Sequence, residues 1–267
     1  MKVVAIANQK GGVGKTTITR ELSACCALRG YSVLAIDCDP QGSLSNTWIP
    51  DLDENTAITL ANVVVTLTDG LAELEDTIIN LATPGLDLVP ANIKLSRFDQ
   101  EKSVASLRLK QQIDVYCQEY DFVFIDCPPQ LGNLLMSALY AASHILIPCN
   151  ADIVGLAGLS DLDLTIREVM KLANPKLIRL GAIINMYKPT RSLSASSRAA
   201  VEQAAALVGD IFETNVHDYA KIAEAPSQKV PVVEYAQTHR AADIFWSLTD
   251  EFLDRIKMSR SKISAVK

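Results

Sequence analysis

The chain has little to offer metal or redox chemistry. Its six cysteines (Cys25, Cys26, Cys38, Cys117, Cys127 and Cys149) form no C-x-x-C pair, and its three histidines, at 144, 217 and 239, make no ligand cluster. Cys38, Cys127 and Cys149 sit at or just beyond the ends of apolar runs, where a thiol serves as a small hydrophobe. Reduced, structural thiols in a cytoplasmic protein are therefore expected. Long hydrophobic runs are missing: no stretch approaches the ~18 uninterrupted apolar residues of a membrane span. The chain passes from Met1-Lys2 straight into a short apolar strand, which excludes a secretory signal. Internal repeats, low-complexity tracts and Pro/Gly/Ser linkers are also absent. Nor is there an excess of positive charge. The 25 Lys+Arg against 31 Asp+Glu give −6, which weighs against a generally basic nucleic-acid binder.

What is present is apolar content for a sizeable core: 49% hydrophobic and 21% charged residues over 267 positions. One α/β domain spanning residues 1–258, followed by a basic polar tail at 259–267, accommodates this. The charge is uneven. Residues 1–150 carry 10 basic and 17 acidic side chains, while residues 151–267 carry 15 and 14, so a local basic surface stays open in the second half.

Short continuous apolar runs recur at Val3–Ala7, Val33–Ile36, Phe122–Ile125, Ile145–Ile147 and Ala182–Ile184. Such runs mark strands covered by helices on both faces. Helical periodicity lies between them, over Thr17–Arg29, Val104–Cys117, Leu131–Ala142, Leu156–Leu172 and Ser197–Val208. The alternation predicts a doubly wound, mainly parallel sheet flanked by helices. Residues 50–102 are less regular and read as two or three short helices. Polar residues fall just beyond the strands' C-terminal ends: Lys10, Asp37 and Asp39, Asp126, Asn185. Open α/β sheets bind ligands along that edge.

Between the first strand and first helix runs Gln9-Lys10-Gly11-Gly12-Val13-Gly14-Lys15-Thr16-Thr17. Glycines let successive backbone N–H groups curl around anionic oxygens, and the helix N-terminus points at them. A lysine supplies charge for the β- and γ-phosphates, and a hydroxyl serves Mg²⁺. The common form of this loop carries glycine at position 9; here Gln9 stands there, and Lys10 adds a second lysine.

This K-G-G-x-G-K-T-T loop resembles the deviant Walker A motif of the ParA/MinD family of P-loop ATPases. Ala35-Ile36-Asp37-Cys38-Asp39-Pro40-Gln41-Gly42 resembles its D-x-D-P-Q-G switch. Asp121 to Gly132, DFVFIDCPPQLG, resembles its Walker B strand and second switch. Glu224-Ala225-Pro226-Ser227 with Val230-Pro231-Val232 is similar to its E-A-P-S…P-V segment. The four motifs keep the family's order along nearly the whole chain.

The resemblance implies ATP and Mg²⁺ as cofactors. Amides of Gly11, Gly12, Val13, Gly14, Lys15, Thr16 and Thr17 would line the phosphates, with Lys15 on the β- and γ-phosphates and Thr17 at the α-phosphate. Thr16, Asp126 and Asp37 would serve Mg²⁺, and Asp39 would position the attacking water. Lys10 would cross to a partner's nucleotide in a sandwich homodimer, acting on charge as an arginine finger does. Plainer readings remain for the carboxylates, as turn formers or caps. Asn185 stands where family members contact adenine, although a structural cap is an equal alternative, and Pro226 is a weaker candidate for packing on the base.

Two outputs are known for the family. The stripe Ile244, Phe245, Leu248, Phe252 and Ile256 is interleaved with Asp243, Asp250, Glu251 and Asp254, so it reads as a final helix packed on the domain rather than a lipid anchor. Nonspecific DNA binding by the dimer is expected instead, through Lys188, Arg191, Arg198 and Lys221. That implies nucleoid association and a ParB-like or other small adaptor that stimulates slow hydrolysis. With only nine residues before Lys10, no helix-turn-helix precedes the loop, as in short Soj-like members. The chain also departs from the family: Val216-His217-Asp218-Tyr219 replaces the usual I-P-R-N, and Asp152 and Ala157 stand where relatives carry Glu. A MinD-like membrane regulator, an ATP-dependent small-molecule ligase and an iron–sulfur carrier are the alternatives.

Overall fold

β1 (Lys2–Ile6) forms from Val3, Val4 and Ile6, β-branched residues that suit a pleated strand. Its alternate side chains enter two different cores. Val3 and Ala5 join Leu109, Leu135 and Ile166 on one face, whereas Val4 and Ile6 join Leu22, Phe245 and Phe252 on the other. Burial on both faces explains why the run is continuously apolar rather than alternating. Each fully buried Leu, Ile or Phe contributes about 1.5–3 kcal/mol.

The structure, a computed structural model, describes residues 1–53, 56–65, 71–100, 106–150, 159–188, 207 and 209–256. After β1 come α1 (Lys15–Leu28), β2 (Val33–Asp37), α2 (Ser43–Trp48), α3 (Leu60–Val64), β3 (Ile79–Asn80) and β4 (Leu86–Val89). Then follow α4 (Arg108–Tyr116), β5 (Phe122–Asp126), α5 (Asn133–Ala141), β6 (His144–Asn150), α6 (Leu159–Leu172) and β7 (Ile178–Asn185). α7 (Ala220–Glu224), α8 (Val232–Tyr235) and α9 (Arg240–Arg255) complete the described chain. The seven described strands form one sheet in the order β3-β4-β2-β5-β1-β6-β7, and every neighbouring pair except β3–β4 is parallel. The expected doubly wound sheet is thus observed.

The five expected strands are β1, β2, β5, β6 and β7. The irregular region 50–102 holds two more. β4 escapes an apolar-run search because Asp87 interrupts Leu86, Leu88 and Val89. That carboxylate is accommodated at the sheet's outer part, accepting from Tyr120 Oη at 2.6 Å and Asn80 Nδ2 at 2.6 Å. The expected helix Ser197–Val208 and the tail 259–267 lie outside the described residues, apart from Leu207.

α9 behaves as its stripe predicts. Phe245, Leu248 and Phe252 are fully buried, and Phe252 packs against Phe122 and Phe124 with ring centroids 5.6 and 5.5 Å apart. Its apolar face belongs to the core and is not available to lipid. Among the described residues, no helix is long and apolar enough to cross a membrane.

Candidate functional site

The sheet brings three loops to one edge. In register, Ile6 of β1 lies beside Asp126 of β5, which lies beside Asp37 of β2. The loop after β1 turns through Gly12 and Gly14, whose φ values of +71° and +90° fit the left-handed conformation that glycine adopts freely. A Cβ on Gly11 or Gly12 would meet nothing within 4 Å, so open space lies beside the loop. Gly14 is the N-cap of α1 and provides no side-chain cap, which leaves first-turn N–H groups of the helix for an anion.

Lys15 is 8% exposed and its Nζ donates to the Lys10 carbonyl at 3.3 Å. Burial holds its ammonium below the ordinary lysine range, against the opposing pull of Asp126, Cys127 and Asp39. Thr16 Oγ1 donates to Asp126 Oδ2 at 2.7 Å, and Thr19 Oγ1 approaches Asp126 Oδ1 at 3.4 Å. Burial, and then the neighbouring Asp37 carboxylate, push the Asp126 carboxyl well above its usual range. A site that penalises its own carboxylates is one that a divalent cation would relieve. One hydroxyl and one buried carboxylate, completed by phosphate oxygens and water, suit the octahedral preference of Mg²⁺. The residues present therefore fit Mg²⁺ bound together with a nucleotide. Among the described residues, no group of three or more His, Cys, Asp or Glu forms a metal cage, so phosphate oxygens are needed to complete such a site.

Asp37 points elsewhere. Its Oδ2 accepts from the Ser45 backbone N–H at 2.8 Å and the Ser45 hydroxyl at 2.7 Å, and its Oδ1 accepts from the Asp39 N–H at 3.1 Å. Burial pushes its carboxyl up to about 6, with these hydrogen bonds opposing. The geometry gives Asp37 the work of tying α2 to the end of β2, closer to the turn-forming alternative than to a place in the Mg²⁺ shell. Asp39 lies on the turn itself: its Oδ1 accepts from the Gln41 N–H and its carbonyl from the Gly42 N–H, both at 2.9 Å.

Asn185 is similarly committed. It is 4% exposed, and its Nδ2 donates to the Val13 carbonyl at 2.8 Å. A Cβ on Gly14 would lie 2.0 Å from that nitrogen, so the residue fills the space directly against the loop. The structure gives Asn185 a buttressing role, the alternative to adenine contact that its sequence position left open. Thr17 is half-buried in the first turn of α1, and Pro226 is half-buried at the start of the 3₁₀ turn Ala225–Gln228, beside α2. Arg191 and Arg198 lie outside the described residues, as do Asp152 and Ala157. The two remaining basic candidates are both paired: Lys188 Nζ with Asp218 Oδ2 at 2.9 Å, and Lys221 Nζ with Glu224 Oε2 at 2.8 Å.

Sequence reasoning overlooked four supporting residues. Asn8 bridges its Nδ2 to the Pro148 carbonyl at 2.7 Å and accepts the Lys10 N–H at 3.0 Å, which fixes the loop's entry to β6. Thr19 and Ser45 hold the two aspartates. Glu21, fully buried on α1, accepts from Arg20 Nε at 2.8 Å and from the Val232 N–H at 2.8 Å, clamping the Pro231-Val232 segment to the loop's helix. A polar residue inside a helix's apolar face was the available signal for Glu21.

A strand, a glycine loop with an inward lysine, a helix N-terminus and a threonine–aspartate pair at the sheet edge define a P-loop nucleotide-binding protein. Residues 1–179 match the family model described as an AAA domain. The chain is 34% identical over 257 residues to Soj, the sporulation initiation inhibitor of Bacillus subtilis, covering 94% of this chain and 97% of that protein. It is 33% identical over 267 residues to the chromosome partitioning protein ParA of Caulobacter vibrioides, covering 98% and 97%. Among solved structures, the septum site-determining protein MinD of Pyrococcus horikoshii with Mg-ADP is 26% identical with a TM-score of 0.78, covering 98% and 99%. A cobyrinic acid a,c-diamide synthase of Mycobacterium smegmatis with ADP and magnesium is 25% identical with a TM-score of 0.79, covering 97% and 96%. The chain belongs to the ParA/MinD family of P-loop ATPases, close to its Soj-like members.

Proposed function

We propose that this protein is an ATP-driven switch that closes as a sandwich homodimer, binds DNA without sequence preference and so positions a cargo. ATP and Mg²⁺ are its cofactors, as the Mg-ADP form of the similar MinD supports. Thr16 and Asp126 would hold Mg²⁺, which would supply neutralising charge to the β- and γ-phosphates. Lys15 pairs with those phosphates in place of the Lys10 carbonyl. The amides from Gly11 to Thr17 cradle them, and Asp39 orients the attacking water. With no arginine among the described residues assembled at the site, intrinsic hydrolysis is slow, and a small adaptor raises it. The protein so proposed works in the cytoplasm, on the nucleoid.

The observation that carries the dimer is the division of labour between the two loop lysines. Lys15 is buried and turned inward, while Lys10 is half-exposed, with its backbone fixed by Asn8 and Lys15. The half-exposed place of Lys10 at the loop's start, ahead of the two glycines, is the position from which the family's second lysine reaches a partner's phosphates. Analytical ultracentrifugation of Lys10→Ala with ATP and Mg²⁺ tests this. The variant should remain monomeric where the parent dimerises, and an intact ATP-dependent dimer would refute the assignment across the interface. The synthase-like reading predicts hydrolysis only when a carboxylate substrate is added, so turnover with ATP, Mg²⁺ and DNA alone separates the two.

A further inference from the structure

One hydroxyl holds the turn that carries Asp39 from behind. Asp37 Oδ1 accepts the Asp39 N–H at 3.1 Å, and its Oδ2 accepts the Ser45 N–H at 2.8 Å and the Ser45 hydroxyl at 2.7 Å. Ser45 Oγ also accepts the Ala91 N–H at 2.9 Å, just past the end of β4. Ser45 is 1% exposed and Asp37 is fully buried, so water does not compete for the bonds between them.

The hydroxyl carries the sheet on where its ladder stops. Ile36 beside Val89 is the last β2–β4 pair in register, and the Ser45 bridge from Asp37 to Ala91 continues that connection beyond it. On the other flank, the Cys38 N–H donates to the Asp126 carbonyl at 3.0 Å, so β5 grips the same segment through its backbone. The Pro90 carbonyl accepts the Leu60 N–H at 2.8 Å, which pins the exit of β4 to α3. Ser45 takes its Ala91 bond on the β4 side of β2, whereas β1 and its phosphate loop stand beyond β5 on the other. Its route to the nucleotide therefore runs through Asp37.

Asp39 is near enough to the loop for its charge to favour the Lys15 ammonium and to oppose the Asp126 carboxylate. A group that orients a reactant loses about a hundredfold in rate when displaced by about 1 Å. Without the Ser45 hydroxyl, Asp37 Oδ2 would keep one donor in place of two, and the buried Ala91 N–H would lose its acceptor. Both changes loosen the carboxylate that holds the Asp39 N–H.

We propose that Ser45 is a positioning residue for hydrolysis: its hydroxyl couples the exit of β4 to Asp37 and so sets where the Asp39 turn stands. The proposal rests on the role given to Asp39 above; the bridge itself does not.

Phosphate release over a range of ATP concentrations, with Mg²⁺ and DNA, tests it on Ser45→Thr and Ser45→Val. The two side chains share a shape and differ in the hydroxyl, so whatever the added methyl costs is common to both. Ser45→Thr should turn over about tenfold faster than Ser45→Val, with KM and the affinity for ADP within about twofold of each other. Ser45→Ala should fall below the parent in the same way, and serves if Ser45→Val fails to fold. Amide-resolved NMR should show the Asp39 and Ala91 N–H signals displaced in Ser45→Val relative to Ser45→Thr. Equal turnover in the two variants, with Ser45→Ala at the parental rate, would overturn the role of the hydroxyl. A change confined to KM or ADP affinity would overturn positioning for hydrolysis in favour of nucleotide binding. An Asp39 signal that stays in place while turnover falls would overturn the route through Asp37. Parental hydrolysis by Asp39→Ala would instead sink the role of Asp39, and the two N–H signals would still judge the bridge.

Discussion

Thr16 Oγ1 donates to Asp126 Oδ2 at 2.7 Å, joining the start of α1 to the end of β5 across 110 residues of sequence. The pair holds the site ready for a cation while burying a carboxylate at real cost. A carboxyl whose pKa is raised on folding contributes stability that is complete below its unfolded value and is lost as pH rises through its folded value. Asp37, pushed from 3.8 to about 6, and Asp126, raised by burial and by Asp37, both follow that sign. Asp126→Asn removes one of these charges. Thermal melts should show the nucleotide-free variant more stable than the parent at pH 7.5, with the gap narrowing towards pH 5. Mg-ADP should raise the parent's Tm and leave the variant's nearly unchanged. A gap that does not depend on pH would mean that Asp126 is not the strained group.

Asn185 provides a test between buttress and base reader. Removing its amide in Asn185→Ala orphans the Val13 carbonyl at a cost of about 1–3 kcal/mol, so nucleotide affinity should fall roughly tenfold. The buttress predicts equal losses for ATP and GTP in titration calorimetry. A loss confined to ATP would restore the adenine contact.

Gly14→Ala should be the more damaging loop substitution. Its φ of +90° disfavours any Cβ, and Asn185 Nδ2 occupies the space that the Cβ would need. Nucleotide binding should drop below detection while the far-ultraviolet circular dichroism spectrum stays unchanged. Gly14→Ala combined with Asn185→Ala should recover part of it, because the steric clash is then relieved and only the backbone strain persists.

The charge pairs on the second half bear on DNA. Lys188 is held by Asp218, and Lys221 by Glu224 and by the Tyr235 hydroxyl at 3.2 Å. Exposed pairs of this kind are weak and exchange readily for phosphate. Asp218→Asn should therefore tighten ATP-dependent binding to random duplex and steepen its salt dependence by about one counterion. Lys221→Ala should do the reverse. Unchanged slopes for both variants would remove this face from the DNA interface.

Much of this was legible in the sequence, for particular reasons. Strands buried on both faces announce themselves as apolar runs, and a glycine loop with its lysine and threonine has one dominant chemistry. β4 was not legible because Asp87 breaks its run and is satisfied by Tyr120 and Asn80, partners far from it in the chain or on an edge strand. Asp37 and Asn185 were found at the right edge, but not the partners that hold them. Position after a strand does not say which way a side chain turns, and Ser45 and the Val13 carbonyl decide that. The same limit hid Asn8 and Ser45, whose importance lies wholly in partners supplied by folding.

The central claim is that Asp39 carries the hydrolytic step of a nucleotide-closed dimer. Its turn is fixed by hydrogen bonds from Gln41 and Gly42, and its charge, after those of Asp126 and Cys127, favours the ammonium form of the phosphate loop's Lys15. Sedimentation of Asp39→Ala with ATP, Mg²⁺ and duplex DNA, together with phosphate release, tests this most directly. The account predicts a persistent DNA-bound dimer with hydrolysis reduced at least tenfold. Hydrolysis at the parental rate, or a variant that stays monomeric with ATP, would contradict it.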